Sequence, residues 1–330
     1  MPDELAKVVP LRRRSNTTAV TVRAPLDEVA RQALVYRKRK HSERTLRVYA
    51  SQWGVFEAWC RDRQLEPMPC APATLALYVT DRASSVRPAT IRQAVSAIAY
   101  QHRQSGIRTK DLPHLDEGVQ DILDGIANTH GTAARRVDPL LVDELRAVVE
   151  RLPDTLIGRR NRALLAIGFN GALRRSELVA LRVSDIRFVA EGLRVRVLRS
   201  KSDQRGKSVT VGLPASRFPA SCPVLALRGW LFASGIREGR VFRSLHNGRL
   251  GKALTDRSVA TIIKQATAAA GLDGDFSGHS LRAGLISSAA RAGKHDRDLQ
   301  RHGRWSSPAM LSTYVRDARL FGPHNAADGL

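Results

Sequence analysis

The chain has 330 residues, of which 43% are hydrophobic, so it is long enough for two domains with packed cores. Its 54 Lys and Arg residues outnumber 31 Asp and Glu residues, which gives a formal net charge of +23. A globular chain this basic usually faces a polyanion, because neutralising phosphates releases condensed counterions. The same balance also fits a ribosomal-type or merely soluble basic protein.

The three cysteines, Cys60, Cys70 and Cys222, are far apart and form no Cys-x-x-Cys pair. They indicate neither a zinc site nor a disulfide framework, so we expect no bound metal and a reducing, cytoplasmic location. No apolar run has the length of a membrane span, so we expect no membrane partner. Residues 1–24 lack the order of a signal peptide and are predicted to be a flexible basic arm, either a functionless leader or a segment that follows DNA.

Residues 25–130 are predicted to form a compact domain of five helices. The clearest helix covers SERTLRVYASQWGVFEAWC, where Ser42 is the expected N-cap and apolar residues recur on one stripe. Another begins at Pro88, a favoured first-turn position, and ends at Gly106. The other three are LDEVARQALVYRKR, ATLALYVTDRA and DEGVQDILDGIANTHG.

Residues 131–139 are the predicted linker to a second domain at 140–316, which a tail at 317–330 follows. The second domain starts with the helices LLVDELRAVVERL and RRNRALLAIGFNGAL. LRVRVLRSKSDQRGKSVTVGLP then alternates as two strands around a polar turn do, with Val195 and Val197 facing one way. Two further helical stretches follow, one before and one after SGHSLRAG, so the chain is predicted to be mainly α with a small antiparallel sheet.

The octapeptide SGHSLRAG places His279 and Arg282 three positions apart at the expected start of a helix. Side chains at that spacing share a face. The first helical turn adds unpaired backbone N–H groups and the positive end of the helix dipole. Together these groups favour an anion, and phosphate is the usual one. The same residues also fit a polar helix cap with a solvated arginine.

Two further stretches carry groups that suit phosphodiester chemistry. Arg174 and Glu177, in GALRRSELVAL, are three apart, so the carboxylate can steady a guanidinium that faces a phosphate; a solvated surface pair also fits. Lys201 is predicted at the end of a strand, where it can reach a DNA groove and protonate a leaving hydroxyl. Lys207, across the turn, competes for that role, and an inert turn lysine is the alternative.

Two aromatic residues near the C-terminal end complete the set. Trp305, in RHGRW, is either part of a core or a donor of its indole N–H to a phosphate oxygen. Tyr314 follows nine residues later and is the only tyrosine after Tyr100; it is either an inert surface residue or a nucleophile.

The order and context of these residues resemble the active-site set of the tyrosine recombinase (phage integrase) family. The resemblance covers about residues 25–316 and rests on RNRALLAIGFNGALRRSELVAL, on SKSDQRGK between two strands, on SGHSLRAG and on GRWSSPAMLSTYVR. A tryptophan instead of a histidine nine positions before the tyrosine points to the Cre recombinase branch. SERTLRVYASQWGVFEAWC and ATIRQAVSAIAYQHRQSG resemble the DNA-contacting helices of that branch.

The resemblance implies the tyrosine recombinase fold, with a helical core-binding (SAM-like) domain before a mostly helical catalytic domain that contains a small antiparallel β-sheet. It implies a DNA-associated enzyme, bacterial or encoded by a phage or plasmid. That enzyme would cleave and rejoin double-stranded DNA at inverted-repeat half-sites, as a homotetramer, through a 3′-phosphotyrosyl intermediate. One ester replaces another, so neither ATP nor a metal nor any other cofactor is implied.

The resemblance also implies a role for each residue. Tyr314 attacks the phosphate, and Lys201 donates a proton to the 5′-hydroxyl that leaves. His279 and Trp305 hydrogen-bond the phosphate, and His279 can also accept the tyrosine proton. Arg174 and Arg282 neutralise the negative charge of the transition state, and Glu177 orients its neighbours.

Three features depart from the family pattern. Arg175 follows the catalytic arginine where relatives often carry an apolar residue. His302 lies twelve positions before the tyrosine, so Trp305 is expected to fill the position that precedes the nucleophile by nine. The tail contains a Gly-Pro break, with Leu320 and Phe321 as candidate anchors, so an exchanged C-terminal helix must be short or differently placed.

Seven residues match positions that face the DNA in Cre-like proteins. Arginine can pair bidentately with guanine and glutamine with adenine, although plain phosphate contacts fit each arginine equally well. They are Arg44, Thr45, Arg47 and Val48 on the second predicted helix, Arg92 and Gln93 on the fourth, and Arg257 in LTDRSVATIIKQ.

Plasmid or phage dimer resolution shares this chemistry with three alternatives, namely phage integration, transposon cointegrate resolution and telomere resolution. A catalytically silent DNA-binding protein is the alternative from another class. A missing tyrosine or arginine would favour that alternative, and none is missing.

Overall fold

The structure, a computed structural model, describes residues 26–38, 40–132, 137–198, 208–305 and 307–320. The chain divides between residues 134 and 135 into two compact units. Several predicted features lie outside the described residues: the arm at 1–24, the middle of the linker, Lys201, Lys207, Phe321 and the rest of the tail.

The described part of the N-terminal unit contains two short 3-10 helices, Thr109–Asp111 and Pro113–Leu115, and five α-helices, which match the five predicted helices. Ser42 caps the second through the backbone N–H of Thr45 at 3.1 Å, as predicted, and Pro88 is the first residue of the fourth. The helices are α1 (Leu26–Lys38), α2 (Glu43–Asp62), α3 (Pro72–Ala83), α4 (Pro88–Gln104) and α5 (Glu117–His130).

An aromatic cluster forms the core of the N-terminal unit. Phe56 on α2 and Tyr78 on α3 meet edge to face with ring centroids 5.0 Å apart, and Trp59 meets the same tyrosine at 5.2 Å. Trp59 also donates its indole N–H to Asp81 at 2.6 Å. Because these aromatic rings are buried against one another, they hold α2 and α3 together.

The three cysteines are free thiols in buried positions. Burial raises the pKa of Cys70 to about 12, which keeps this thiol protonated and unreactive. Within the described parts of the chain, no three His, Cys, Asp or Glu side chains group closely enough to hold a metal ion. None of the described helices is long and apolar enough to cross a membrane.

The described part of the C-terminal unit contains eight α-helices and two small sheets. Its described helices are α6 (Val142–Arg151), α7 (Leu156–Asn170), α8 (Arg175–Ala180), α9 (Pro223–Ser234), α10 (Asp256–Ala269), α11 (Ser280–Arg291), α12 (Asp296–Gly303) and α13 (Pro308–Ala318). Its strands are β1 (Ile186–Val189), β2 (Gly192–Val197), β3 (Val209–Pro214), β4 (Arg243–His246) and β5 (Arg249–Ala253).

The two predicted strands are β2 and β3, which pair antiparallel with Val195 opposite Val211. Val195 and Val197 are both buried, as the alternation predicts. The prediction of two further helical stretches is wrong in number, because five helices from α9 to α13 follow the sheet. It also missed β1, which pairs antiparallel with β2, and the hairpin β4–β5.

The segment that enters the C-terminal unit lies directly against α11. The backbone N–H of Leu140 donates to the carbonyl oxygen of Ser280 at 3.0 Å, and that of Asp138 donates to Asp275 at 3.0 Å. Gly284 lies so close to Leu140 that an added Cβ would overlap the carbonyl group of that leucine. This contact fixes the start of α11, where the predicted anion-binding residues lie.

We expect Gly284→Ala to lower the free energy of unfolding by about 3 kcal/mol, because a methyl group there must displace backbone atoms. Gly229→Ala is the matched control, since Gly229 lies within α9 and an added Cβ meets no atom within 4 Å. The control should be neutral or stabilise by about 0.5–1 kcal/mol. Urea unfolding of both variants checks this, and equal stabilities would contradict the close packing of α11.

Candidate active site

A buried carboxylate, that of Glu177, lies at the centre of the predicted site. Its side chain is 1% exposed. Its Oε1 accepts a hydrogen bond from Nη1 of Arg174 at 2.7 Å, and its Oε2 accepts one from Nη2 of Arg304 at 2.9 Å. The backbone N–H of Arg174, the N-cap of α8, donates to the same Oε2 at 2.9 Å. These partners offset the cost of burying the charge, and they hold the Arg174 side chain in one direction.

The turn between α7 and α8 supplies a second anchor. Ala172 is fully buried and has a φ of 44°, in the left-handed region that disfavours an alanine. Its carbonyl oxygen accepts hydrogen bonds from Nη1 of Arg282 at 2.8 Å and from Nη2 of Arg304 at 3.0 Å. Such a conformation costs about 1–3 kcal/mol and persists where the surroundings fix it, and here two guanidinium groups fix it.

Arg282 is the most deeply buried cation of the site, at 1% exposure. Its guanidinium lies over the ring of Trp305, with Cζ 4.3 Å from the ring centroid. Its Nη2 is buried and has no hydrogen-bond partner among the residues that the structure describes. Burial, and next the charges of Arg174 and Arg304, lower the pKa of Arg282 to about 9. An unpartnered donor is rare inside a protein, and in this positive field it favours an anion.

The predicted nucleophile contacts the predicted base. Nε2 of His279 lies 2.6 Å from the hydroxyl oxygen of Tyr314, and the ring centroids are 5.9 Å apart. The His279 residue is exposed, but desolvation of its ring, followed by the charges of Arg282, Arg174 and Arg175, lowers its pKa. A neutral imidazole is therefore favoured at pH 7, and in the tautomer with the proton on Nδ1 the free Nε2 can accept the tyrosine hydroxyl proton.

A small apolar cluster under α13 holds Tyr314 against α11. It comprises Ile286, Ala290, Leu299, Trp305, Leu311 and Val315, and the tyrosine packs against it. The ring of Trp305 lies 6.0 Å from that of Tyr314, between centroids. The tryptophan thus belongs to a core and borders the site, and its donation to a phosphate oxygen stays a prediction.

His302 occupies a different place from the residues around the tyrosine. Its Nε2 pairs with the carbonyl oxygen of Asn170 at 2.7 Å. This bond engages the imidazole at the end of α7, and the choice of Trp305 over His302 stays a prediction.

The seven predicted DNA-facing residues lie on the surface or near it. Arg44, Arg47, Arg92, Gln93 and Arg257 are exposed, whereas Thr45 and Val48 are half-buried. Thr45 pairs its hydroxyl with that of the capping Ser42 at 2.8 Å, and Arg92 approaches Asp124 at 3.4 Å. The ion pair between Arg92 and Asp124 is largely exposed and therefore weak. It would not prevent Arg92 from contacting another group.

The structure brings Arg174, Glu177, His279, Arg282, Trp305 and Tyr314 into one site, and Lys201 lies outside the described residues. Sequence reasoning missed two contributors, Arg304 and the carbonyl group of Ala172. The Arg304 side chain is 6% exposed, although RHGRW suggests a solvated turn. No pattern of residue types predicts that a turn arginine folds back onto a buried carboxylate.

Comparisons with known proteins show the family of the chain. Residues 139–319 match the model of the phage integrase family. The integrase/recombinase XerD homologue of Selenomonas ruminantium is 33% identical over 86% of this chain and 84% of its own length. The recombinase Cre of Escherichia phage P1 is 25% identical over 92% of this chain and 93% of its own. Cre is thus among the relatives, as the resemblance implied, but the identity is higher with the XerD homologue.

Solved structures share the fold. A lambda integrase dimer bound to a COC′ core site has a TM-score of 0.58 and 18% identity, covering 89% of this chain and 95% of the other. A lambda integrase tetramer bound to a Holliday junction has a TM-score of 0.56 and 17% identity, covering 89% and 82%. The expected mainly helical fold with a small antiparallel sheet is confirmed.

Arg175→Met should raise the pKa of His279 towards its ordinary value, because it removes one of the positive charges that oppose protonation. Methionine retains an aliphatic stem, which is needed because the Arg175 stem packs over Gly278. Histidine ring NMR across a pH series measures the change. His302 is the internal control, since its lowered pKa arises from burial and from Arg304 and Arg282. An unmoved His279 titration, or equal shifts of both rings, would contradict the arrangement.

Proposed function

This chain belongs to the phage integrase family and is a tyrosine recombinase, and we propose that Tyr314 is the nucleophile with which it cuts and rejoins DNA. The observation that carries the proposal is the 2.6 Å contact between the Tyr314 hydroxyl and Nε2 of His279. This contact lies beside a buried arginine, Arg282, whose Nη2 has no partner in the described part of the chain. A nucleophile, a base and an anion-binding donor therefore meet in one place.

In the proposed cleavage step, the Tyr314 oxygen attacks the scissile phosphorus while its proton passes to His279. A bond forms between this oxygen and the phosphorus, and the bond to the 5′-oxygen of the next nucleotide breaks. The product is a 3′-phosphotyrosyl ester, and the departing 5′-oxygen takes a proton from Lys201, with Lys207 as the competing donor. An ester is exchanged for an ester, so the step is balanced without ATP, metal or other cofactor.

Arg174 and Arg282 would hold the phosphate and neutralise the charge that grows on its oxygens in the transition state. Removing one such donor from a preorganised site costs about 3–4 kcal/mol in other enzymes. Trp305 would donate its indole N–H to the phosphate, and it also packs beneath the Arg282 guanidinium. Glu177 orients Arg174, since the two side chains are bonded at 2.7 Å.

Rejoining would follow when a 5′-hydroxyl from a partner strand attacks the phosphotyrosyl bond. We propose that this exchange takes place in a homotetramer on double-stranded DNA with inverted-repeat half-sites. The lambda integrase tetramer on a Holliday junction supports this arrangement by its shared fold, and the net charge of +23 suits a large phosphate surface. The biological task, whether dimer resolution, integration or another, depends on the target site.

Within that assembly, we propose that residues 25–130 bind the core of the half-site, that 131–139 link the units, that 140–316 catalyse and that 317–330 contact a neighbouring subunit. The residues proposed to face DNA are Arg44, Thr45, Arg47, Val48, Arg92, Gln93 and Arg257. The exposure of the four arginines and of Gln93 supports this assignment.

A nicked duplex that carries the target site should trap a covalent protein–DNA adduct with the parent protein, and Tyr314→Phe should abolish it, because phenylalanine lacks the attacking oxygen. Denaturing gel electrophoresis of labelled DNA measures the adduct. DNA enriched by the protein from its source genome supplies the site.

Tyr36→Phe is the matched control, because Tyr36 is a 63% exposed tyrosine of α1 in the other unit, and it should leave the adduct unchanged. An adduct that survives in Tyr314→Phe would show that another residue is the nucleophile. A parent protein that binds the site without forming any adduct would favour the catalytically silent alternative.

A further inference from the structure

The helix α12 ends in an unusual way, with an arginine where glycine is usual. Arg304 has φ 54° and ψ 46°, in the left-handed region. Its backbone N–H donates to Arg301 at 3.2 Å, and that of Trp305 donates to Gln300 at 3.2 Å. This pair of bonds closes a helix end whose left-handed position glycine fills most often, since glycine has no Cβ to clash.

The Arg304 side chain turns from this helix end into the site, where it is 6% exposed. Its guanidinium donates four hydrogen bonds: from Nη1 to the carbonyl oxygens of Gly171 at 3.0 Å and His302 at 3.2 Å, and from Nη2 to Ala172 at 3.0 Å and Glu177 at 2.9 Å. A planar fork with several donors suits such a set of acceptors, and a lysine ammonium does not.

Two of these acceptors also hold the arginines that are proposed to bind the phosphate. Glu177 bonds Arg174 through its other oxygen, and the Ala172 carbonyl oxygen bonds Arg282. Arg304 is therefore one hydrogen-bonded group away from each of them, on the side of the site formed by the α7–α8 turn.

We propose that Arg304 is a positioning residue for strand cleavage, which fixes Arg174 through Glu177 and fixes Arg282 through the Ala172 carbonyl group. The proposal rests on the proposed function. Arg304 acts through these neighbours, because both of its terminal nitrogens donate to protein acceptors; its Nε is buried without a partner among the described residues.

The arginine contributes a planar hydrogen-bonding fork that a lysine does not supply. Its charge pairs with Glu177 and also adds to the positive field that disfavours the charged form of Arg282. Glycine would satisfy the backbone at this helix end with less strain, so the fold of the turn does not require an arginine. What glycine lacks is the fork that joins the turn to Glu177.

The test compares the rate of adduct formation on a saturating nicked substrate with the dissociation constant for the same DNA. Arg304→Gly should reduce the rate about tenfold to a hundredfold, as expected for misplaced groups, with DNA affinity close to that of the parent. Its thermal stability should be lower, because the buried Glu177 loses a partner, so the rates are compared well below the unfolding temperature of the variant. Gln64→Gly is the matched control: Gln64 has a similar φ of 56° in the other unit, so the variant relieves the same backbone strain away from the site. It should keep the parent rate.

Two additional measurements separate positioning from general stabilisation. Arg304→Lys should stay well below the parent rate, because one ammonium cannot bridge the four acceptors. Guanidinium chloride, far below denaturing concentration, should partly restore the rate of Arg304→Gly, whereas potassium chloride at the same ionic strength should not. Ionic strength is matched because DNA binding weakens with salt.

A parent-like rate in Arg304→Gly, or in Arg304→Lys, would overturn the positioning role alone, with the proposed function intact. If the glycine variant does not fold, the lysine variant takes its place in the same comparison, with the same two outcomes. Absence of an adduct in the parent protein would instead overturn the proposed function and this proposal with it.

Discussion

The site depends on one buried carboxylate among several guanidinium groups. Glu177 is 1% exposed and bonds both Arg174 and Arg304, while Arg282 is within electrostatic reach of all three. Among the described side chains of this cluster, three positive charges face one negative charge. Such a surplus is costly in a low dielectric, and an entering phosphate would relieve it. Under the proposed function, the cluster would be preorganised for a phosphate before DNA binds.

Tight backbone packing keeps this surplus charge in place. The α7–α8 turn holds Ala172 in a left-handed conformation, and its carbonyl group binds two guanidinium groups. Gly284 lets α11 approach the backbone of Leu140, and Gly303 lies so close to Trp305 that a Cβ would overlap the indole ring. Because the groups come from distant segments, close contacts between segments set the distances within the site.

The sequence predicted much of this arrangement where local chemistry decides it. Ser42 caps α2, and α11 begins directly after His279, because caps and helix starts depend on neighbouring residues. Other features depend on distant partners. The strand β1 has four residues and pairs with β2, and α12 buries only Leu299 and Gly303 among its eight residues, so both are short and offer few apolar residues from which to predict them. The inward turn of Arg304 depends on Glu177, far along the chain, and no local pattern predicts it.

The most direct measurement of the central claim is a structure of the protein bound to its target DNA with vanadate in place of the scissile phosphate. We expect Arg174 and Nη2 of Arg282 to contact the vanadate oxygens, with the Tyr314 oxygen bonded to the vanadium. A complex in which this oxygen is remote from both guanidinium groups in every subunit would contradict it.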